Sequence, residues 1–198
     1  LLDPGQRAVS IRDAYGATYL HFTQILPRFG IACQVCETLD EPQILEEIAK
    51  GCDVLYLETP TNPLLRVVDL KKLSDAAHQV GATIIVDNTF ATPINQHPLH
   101  LGADLVIHSA TKYLGGHNDL TGGLVVGSLD LIDQIYRYRE LTGPGLGPHR
   151  AHQLLRSIKT LGLRVQRQNE NAMAMARYLD AHTEIGRVYY PGLEDHPN

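Results

Sequence analysis

The fold is decided by the stretch Asp104–Asn118, which reads DLVIHSATKYLGGHN. Its first part, Leu105–Ile107, is a short continuous apolar run, typical of a strand that is buried on both faces of a parallel sheet. The hydroxyl- and glycine-rich remainder places Lys112 just beyond the carboxyl end of that strand, where open α/β sheets hold their ligands. Taken alone, Lys112 would be an ordinary exposed lysine. Among hydroxyls and glycines it suits Schiff-base chemistry, with the hydroxyls free to hold a phosphate.

Apolar runs of the same type recur on both sides of this stretch. The strand candidates are Ala8–Ile11, Ile31–Cys36, Val54–Leu57, Thr83–Val86, Leu105–Ile107 and Leu124–Val126. Helical patterns lie between several of them: Tyr15–Phe29, ended by Pro27 and Gly30; Pro42–Lys50; and a helix that Asp69 caps and Gly81 ends. Apolar strands that alternate with amphipathic helices predict an α/β fold with a mostly parallel sheet and flanking helices.

The segment after Gly147 has a different pattern. A single long helix is predicted from His152 to His182, with an early apolar stripe that includes Leu154, Leu161 and Val165. We interpret it as a connector towards a second domain. The chain opens on a turn signal and stops soon after another, so we expect both ends to lie within a longer protein.

Charge and composition exclude several classes of protein. The net charge is −5 and no block of like charges occurs, which argues against nucleic acid or an anionic membrane as the main partner. No apolar run is long enough to span a bilayer. Three cysteines fit a reduced, cytoplasmic protein better than a disulfide scaffold. Cys33 and Cys36 form a C-x-x-C pair, but residues three apart on a strand face opposite sides, so a redox or zinc role is disfavoured.

Four of the predicted strands end in polar clusters, and a parallel sheet would bring all of them to one edge. The clusters are Arg12–Gly16, Glu58–Pro63, Asp87–Phe90 and His108–Lys112. Together they supply an acid, a lysine, hydroxyls, an amide and an aromatic ring. Pyridoxal phosphate needs this set, because it binds a lysine amine, a carboxylate at its ring nitrogen, donors at its phosphate and a ring stacked on its face.

At these residues the chain resembles the Cys/Met-metabolism, or transsulfuration, family of pyridoxal phosphate enzymes. The resemblance is strongest across Tyr15–Thr18, Glu58–Pro63, Val86–Pro93 and His108–Gly123. It implies the large cofactor domain of the fold-type I, aspartate aminotransferase-like enzymes. Residues 1–150 would be the central cofactor domain without its N-terminal part. Residues 151–198 would be the connecting helix and the start of a C-terminal domain.

The resemblance also implies a role for each site residue. Lys112 would form the Schiff base with the cofactor and then act as a base at the substrate. Asp87 would pair with the pyridine nitrogen, and Ser109 and Thr111 would contact the phosphate. Tyr15 would stack on the ring and exchange protons, and Asn62 would reach the phenolic oxygen; these two contacts complete the predicted site, which contains no metal. An amino-acid substrate, a cytoplasmic location and a homotetramer built as a dimer of dimers are implied as well.

Each of these residues also has a purely structural interpretation. Asp87 and Ser109 could cap helices, Tyr15 could be a core aromatic, and Asn62-Pro63 could be only a turn. That last bond is also a candidate cis peptide bond. Four histidines, His97, His100, His108 and His117, have a spacing that fits no compact zinc motif.

Two function classes remain. The first is a transsulfuration enzyme acting on sulfur amino acids or activated homoserine by elimination or replacement, with cystathionine γ-synthase or γ-lyase chemistry favoured. The second is a non-catalytic relative that keeps the fold and acts through partner binding. A nicotinamide-binding sheet is disfavoured because no G-x-G-x-x-G follows the first strand. Relatives also use an upstream phosphate loop, a neighbouring subunit's Tyr and Arg, and a C-terminal arginine, and several carry a basic residue where this chain has Leu20.

Overall fold

A computed structural model describes residues 1–196 of the chain as a twisted sheet with helices on both faces. The six strands lie in the order β2-β1-β3-β4-β5-β6. In chain order they are β1 Arg7–Ile11, β2 Ala32–Cys36, β3 Val54–Glu58, β4 Thr83–Asp87, β5 Leu105–Ser109 and β6 Gly123–Gly127. All neighbouring pairs are parallel except β5 and β6, which are antiparallel. All six predicted strands and the mostly parallel sheet are therefore confirmed.

Helices connect the strands and extend the chain beyond β6. The α-helices are α1 Gly16–Leu20, α2 Glu41–Ala49, α3 Leu70–Gln79, α4 Thr92–Asn95, α5 Leu129–Thr142, α6 Pro148–Ile158 and α7 Leu161–Asp180. A π-helix covers His21–Ile25, and 3-10 helices cover Leu26–Phe29 and Pro98–Leu101.

The central strand β3 is buried along its whole length, and alternate residues serve two separate cores. Leu55 and Leu57 face a core that α2 and α3 cover, together with Ile84 and Val86 of β4. Val54 and Tyr56 point to the opposite face. Because successive strand residues point to opposite faces, a strand covered on both sides must be apolar throughout. This requirement explains why continuous apolar runs located the strands correctly.

Side chains cap the two helices of the first core. The carboxylate of Asp69 accepts a hydrogen bond from Lys72 N at 3.0 Å, and that of Asp40 accepts one from Gln43 N at 3.0 Å. Each bond satisfies an amide that the first turn of a helix leaves without a partner. After α3, Gly81 has a φ of +78°, a conformation that favours glycine. The predicted cap and stop of this helix are confirmed.

The predicted helical region Tyr15–Phe29 is not one regular helix. It consists of α1, the π-helix and the 3-10 helix in succession, and Gly30 ends it with a φ of +74°. Pro27 has no amide hydrogen, and its ring would clash with the carbonyl one turn earlier in an α-helix. The chain tightens into a 3-10 turn at this proline instead.

The prediction of one long helix from His152 to His182 is wrong. Two helices, α6 and α7, are separated at Lys159 and Thr160, and Gly162 lies inside α7. At the break the carbonyl of Ser157 accepts from Thr160 Oγ1 at 3.2 Å and from the Arg164 guanidinium at 3.0 Å. The amide of Thr160 also donates to this carbonyl, at 3.2 Å, so the carbonyl of Ser157 is satisfied at the point where α6 ends. Residue 150 lies in the first turn of α6, and the division into two domains stays a prediction.

A third core joins the C-terminal helices to the lysine loop. Leu154 of α6 and Leu161 and Val165 of α7 pack with Ala110 and Leu114, which flank Lys112. The loop that carries the lysine is thus packed between the sheet and α7.

Two findings concern features that the sequence left open. Cys33 and Cys36 are free and belong to the cores on opposite faces of the sheet, as expected for two residues three apart on a strand. Across residues 1–196, none of the helices has both the length and the apolar character that a membrane crossing requires.

We predict that the third core contributes strongly to stability. Leu161→Ala should lower the free energy of unfolding by about 2–4 kcal/mol, because Leu161 is only 4% exposed and its loss leaves a cavity. Leu163→Ala on the same helix is the control, since Leu163 is 74% exposed and should change stability by less than about 0.5 kcal/mol. Urea unfolding of both variants checks this, and equal midpoints would contradict it.

Candidate functional site

The polar ends of β1, β3, β4 and β5 meet at one edge of the sheet. Glu58, the last residue of β3, lies in register with Asp87, the last residue of β4. Asp87 in turn is in register with Ile107, two residues before the end of β5. Parallel pairing therefore assembles clusters that are far apart in the sequence, as predicted.

Asp87 is half-buried and its carboxylate is held on both sides. Oδ1 accepts from the amide of Thr89 at 2.9 Å, and Oδ2 accepts from the hydroxyl of Tyr56 at 3.5 Å. Burial raises the pKa of Tyr56, which also hydrogen bonds with the side chain of Thr18, so its phenol stays a neutral donor. Asp87 does not cap a helix, because its bond to Thr89 closes a local turn.

A chain of hydrogen bonds runs from Asp87 to Lys112. Thr89, whose amide binds Asp87, accepts at its hydroxyl oxygen from the amide of Ser109 at 2.8 Å. The carbonyl of Ser109 then accepts from the amide of Lys112 at 3.1 Å. Three successive hydrogen bonds, each donated by a backbone amide, thus connect the carboxylate of Asp87 with the backbone of Lys112.

The buried side-chain amide of Asn88 holds the loop after β4 in place. Asn88 is 1% exposed, and its Nδ2 donates to the carbonyls of Thr92 and Gln96. Gln96 Nε2 donates both to Asn88 Oδ1 and to the carbonyl of Thr59. This network connects the loops after β3 and β4 and leaves the polar atoms of Asn88 satisfied.

Lys112 lies on an exposed turn, and hydrogen bonds from Arg164 connect this turn to α7. The amide of Gly116 donates to the carbonyl of Lys112 at 2.7 Å. Arg164 of α7 donates to the carbonyl of Tyr113 at 2.7 Å and to that of Leu114 at 3.4 Å. The side chain of Lys112 remains exposed to solvent, where an amine can react.

The hydroxyl of Thr111 is engaged within the chain. It accepts from the amide of Gly122 at 3.1 Å and donates to the carbonyl of the same residue at 3.3 Å. It therefore ties the lysine loop to the start of β6, and an oxygen lone pair is left for a ligand. The predicted contact of Thr111 and Ser109 with a phosphate stays a prediction.

Tyr15 and Asn62 are held by one buried carboxyl group. Glu58 Oε2 accepts from the amide of Tyr15 at 2.8 Å, and Oε1 accepts from the amide of Asn62 at 3.2 Å. Burial raises the pKa of Glu58 to about 7, and the charge of Asp87 adds to this effect. Tyr15 is 57% exposed and so is not a core aromatic. The Asn62-Pro63 bond is cis as predicted, and Thr59-Pro60 is also cis.

The histidines do not assemble a metal centre. Within residues 1–196 no group of three or more His, Cys, Asp or Glu side chains could hold a metal ion. His108 is 4% exposed, and its Nδ1 has no hydrogen-bond partner among residues 1–196. Burial lowers the pKa of His108, so the ring is neutral at pH 7. His117 Nδ1 lies 2.7 Å from the carbonyl of Gly115, within the lysine loop.

Comparison with protein families identifies the chain. The model of the Cys/Met metabolism PLP-dependent enzymes matches residues 1–198. The chain belongs to this family. Its members depend on pyridoxal phosphate, and the predicted family and fold class are confirmed. The donor set at the sheet edge also fits this cofactor, because it offers an amine, a carboxylate, hydroxyls and an exposed aromatic ring.

Individual relatives share about two fifths of their residues with the chain. Over 198 residues it is 44% identical to the cystathionine γ-lyase of Bacillus subtilis and covers 52% of that protein. Over 200 residues it is also 44% identical to a chloroplastic cystathionine γ-synthase of Nicotiana tabacum, of which it covers 37%. Both alignments include the whole chain.

A solved structure agrees with the fold. Cystathionine γ-synthase from Xanthomonas oryzae, in complex with aminoacrylate and cysteine, matches with a TM-score of 0.96 and 39% identity. The match covers all of this chain and 51% of that protein. The chain thus spans about half of the length of this relative and of the Bacillus enzyme.

Sequence analysis named the site residues but missed the residues that position them. Tyr56, Thr89 and Arg164 received no role, although each contacts a predicted site residue or its loop. Glu58 was recognised only as part of a polar cluster. A signal was present, since an acidic residue directly after the buried run Val54–Leu57 must find partners at the sheet edge.

We predict that the turn after Lys112 requires glycine at position 116. Gly116 has a φ of +72°, and a Cβ there would meet the guanidinium of Arg164. Gly116→Ala should lower stability by about 1–3 kcal/mol, from the backbone conformation and the displaced arginine. Gly162→Ala in α7 has open space and should raise stability by up to about 1 kcal/mol. Urea denaturation measures both, and a neutral Gly116→Ala would refute the close contact.

Proposed function

We propose that this chain is the cofactor-binding part of a pyridoxal phosphate enzyme of transsulfuration. The observation that carries the proposal is the chain of hydrogen bonds that links Asp87, Thr89, Ser109 and Lys112. It holds the carboxylate of Asp87 and the backbone of Lys112 together at the edge of the sheet where ligands bind. A non-catalytic protein that acts through partner binding would not need this arrangement together with the exposed side chain of Tyr15.

In this proposal each residue has a defined role. Lys112 would hold the cofactor covalently and, once free, would remove the proton from the α-carbon of the substrate. Asp87 would keep a proton on the ring nitrogen, and Ser109 and Thr111 would bind the phosphate. Tyr15 would stack on the ring and accept a proton from the incoming amine or donate one to the leaving group. The cofactor, when bound, accepts the electron pair that the lost proton leaves behind.

The proposed substrates are sulfur amino acids or activated homoserine, processed by elimination or replacement. We favour cystathionine γ-synthase or γ-lyase chemistry on overall resemblance. Relatives with both names align with the whole chain at 44% identity, as does an L-methionine γ-lyase, so the substrate must be decided by experiment. A homotetramer and a cytoplasmic location are part of the proposal, and some relatives are chloroplastic. A non-catalytic protein that acts through partner binding is the alternative.

We predict that Lys112 is the attachment point of the cofactor. Borohydride reduction of the purified protein with pyridoxal phosphate should leave one covalent adduct, located on Lys112 by peptide mass spectrometry. Lys112→Ala should remove both the adduct and the visible absorption of the bound cofactor. Lys71→Ala is the matched control, since Lys71 is exposed and forms an ion pair with Asp75 on α3. An adduct spread over several lysines, or none at all, would refute the proposal.

We predict that turnover separates the two function classes. A substrate panel should contain cystathionine, methionine, and acyl-homoserine with cysteine or sulfide, and both keto acids and thiols should be measured. Release of 2-oxobutyrate, ammonia and cysteine from cystathionine indicates a γ-lyase, whereas pyruvate, ammonia and homocysteine indicate a β-lyase. Cystathionine formed from acyl-homoserine and cysteine indicates a γ-synthase. Lys112→Ala should lower any such rate by at least about 1000-fold. No product with any substrate, despite a cofactor adduct on Lys112, would support the non-catalytic alternative.

A further inference from the structure

Glu58 occupies an unusual position at the sheet edge. It is 6% exposed, and among residues 1–196 no lysine, arginine or histidine forms an ion pair with it. Its register partner on the neighbouring strand is Asp87, another acid. Burial next to a like charge disfavours the ionised form, which explains why its pKa rises to about 7. A residue kept under these conditions needs a compensating role.

The two oxygens of Glu58 bind two loops that are remote from each other in the sequence. One oxygen accepts from the amide of Tyr15, which precedes α1, and the other from the amide of Asn62, in the loop after β3. The sequence separation between Glu58 and Tyr15 is 43 residues, so the first bond connects β3 to the end of β1. Both residues follow strands at the same edge, where they are proposed to contact one cofactor ring.

We propose that Glu58 is a positioning residue that sets Tyr15 and Asn62 at a fixed distance from each other, so that the stacked ring and the amide engage the cofactor together. The inference rests on the proposed function for the identity of the ligand. A single carboxyl group is suited to this role because its two oxygens are rigidly spaced. Two independent side chains would let each loop move separately.

Hydrogen exchange tests the two contacts without any cofactor. In Glu58→Gln only one oxygen remains, and the amide nitrogen faces the second backbone amide. We expect exchange of the Tyr15 or Asn62 amide, followed by NMR, to become at least about tenfold faster. Glu46→Gln is the control, because the side chain of Glu46 is 69% exposed and pairs with Lys50 on α2. Unchanged protection of both amides would overturn the inference.

Cofactor affinity tests whether the two loops act through Glu58. Glu58→Gln should weaken pyridoxal phosphate binding about tenfold, measured by titration of its absorption. The same change made in a Tyr15→Ala, Asn62→Ala background should have an effect within about twofold, because the residues that Glu58 positions are gone. An equal loss in both backgrounds would indicate a general structural role and overturn the inference.

Two further arms keep the result interpretable. Glu58→Asp retains the charge but withdraws the oxygens by one methylene, so it should show the same pattern if Glu58→Gln fails to fold. If the unmodified protein takes up no pyridoxal phosphate, the proposed function fails. The hydrogen-exchange experiment then tests by itself whether Glu58 holds the amides of Tyr15 and Asn62. If the cofactor binds Lys112 and Glu58→Gln binds it equally well, the proposed function stands and the inference fails.

Discussion

The site depends on the parallel register of β3, β4 and β5. This register sets Glu58 beside Asp87 and Asp87 beside Ile107, so the two acidic residues lie on adjacent strands at the same edge. A shift of one residue would turn Asp87 towards the opposite face and put Val86 at the edge. The register is itself fixed by the core, because Leu57 and Val86 must remain in the layer below α2 and α3. Packing of the sheet and placement of the site are therefore one constraint.

Threonine hydroxyls satisfy several of the backbone amides beyond the strand ends. Thr59 Oγ1 accepts from the amide of Val68, Thr61 Oγ1 from that of Arg66, and Thr89 Oγ1 from that of Ser109. Buried loop amides require such partners, since each unsatisfied group costs about 1–3 kcal/mol. The abundance of threonine around the site thus has a structural reason before any ligand is considered. It also makes the edge rigid, as a site for precise chemistry must be.

Local patterns in the sequence predicted the elements that obey local rules. The strands are continuous apolar runs, and Asp69 is a helix cap with its partner three residues away. Helix α5 was missed although Leu129, Ile132 and Tyr136 recur at helical spacing, and none of its residues is buried. The break between α6 and α7 was missed because the side chain that stabilises it acts over a long distance in the sequence. Arg164 donates to the carbonyl of Ser157 at the break and also to the carbonyl of Tyr113, 51 residues away.

Local sequence patterns also identified the candidate site residues, whereas the long-range contacts that position them were not predicted. Lys112 and Asp87 could be named because their residue types, placed after buried strands, indicate a chemistry. The bond between Glu58 and the amide of Tyr15 could not be predicted, since it joins backbone to side chain across 43 residues. A backbone amide is present at every position except proline, so the sequence does not mark which one is bound. Supporting contacts of this kind become visible only in the folded chain.

Glu58 and Asp87 are neighbouring carboxyl groups that differ in burial and in hydrogen-bond partners. Asp87 is half-buried and accepts from an amide and a phenol, whereas Glu58 is almost fully buried and accepts from two amides. Because the charge of Asp87 raises the pKa of Glu58, a cationic ring bound at Asp87 would offset that charge and favour the ionised form of Glu58. Ionised Glu58 is the form in which both oxygens accept hydrogen bonds fully. Binding of a cation at one carboxylate would thus strengthen the hold of the other on Tyr15 and Asn62, and by reciprocity the held loops would favour the cation.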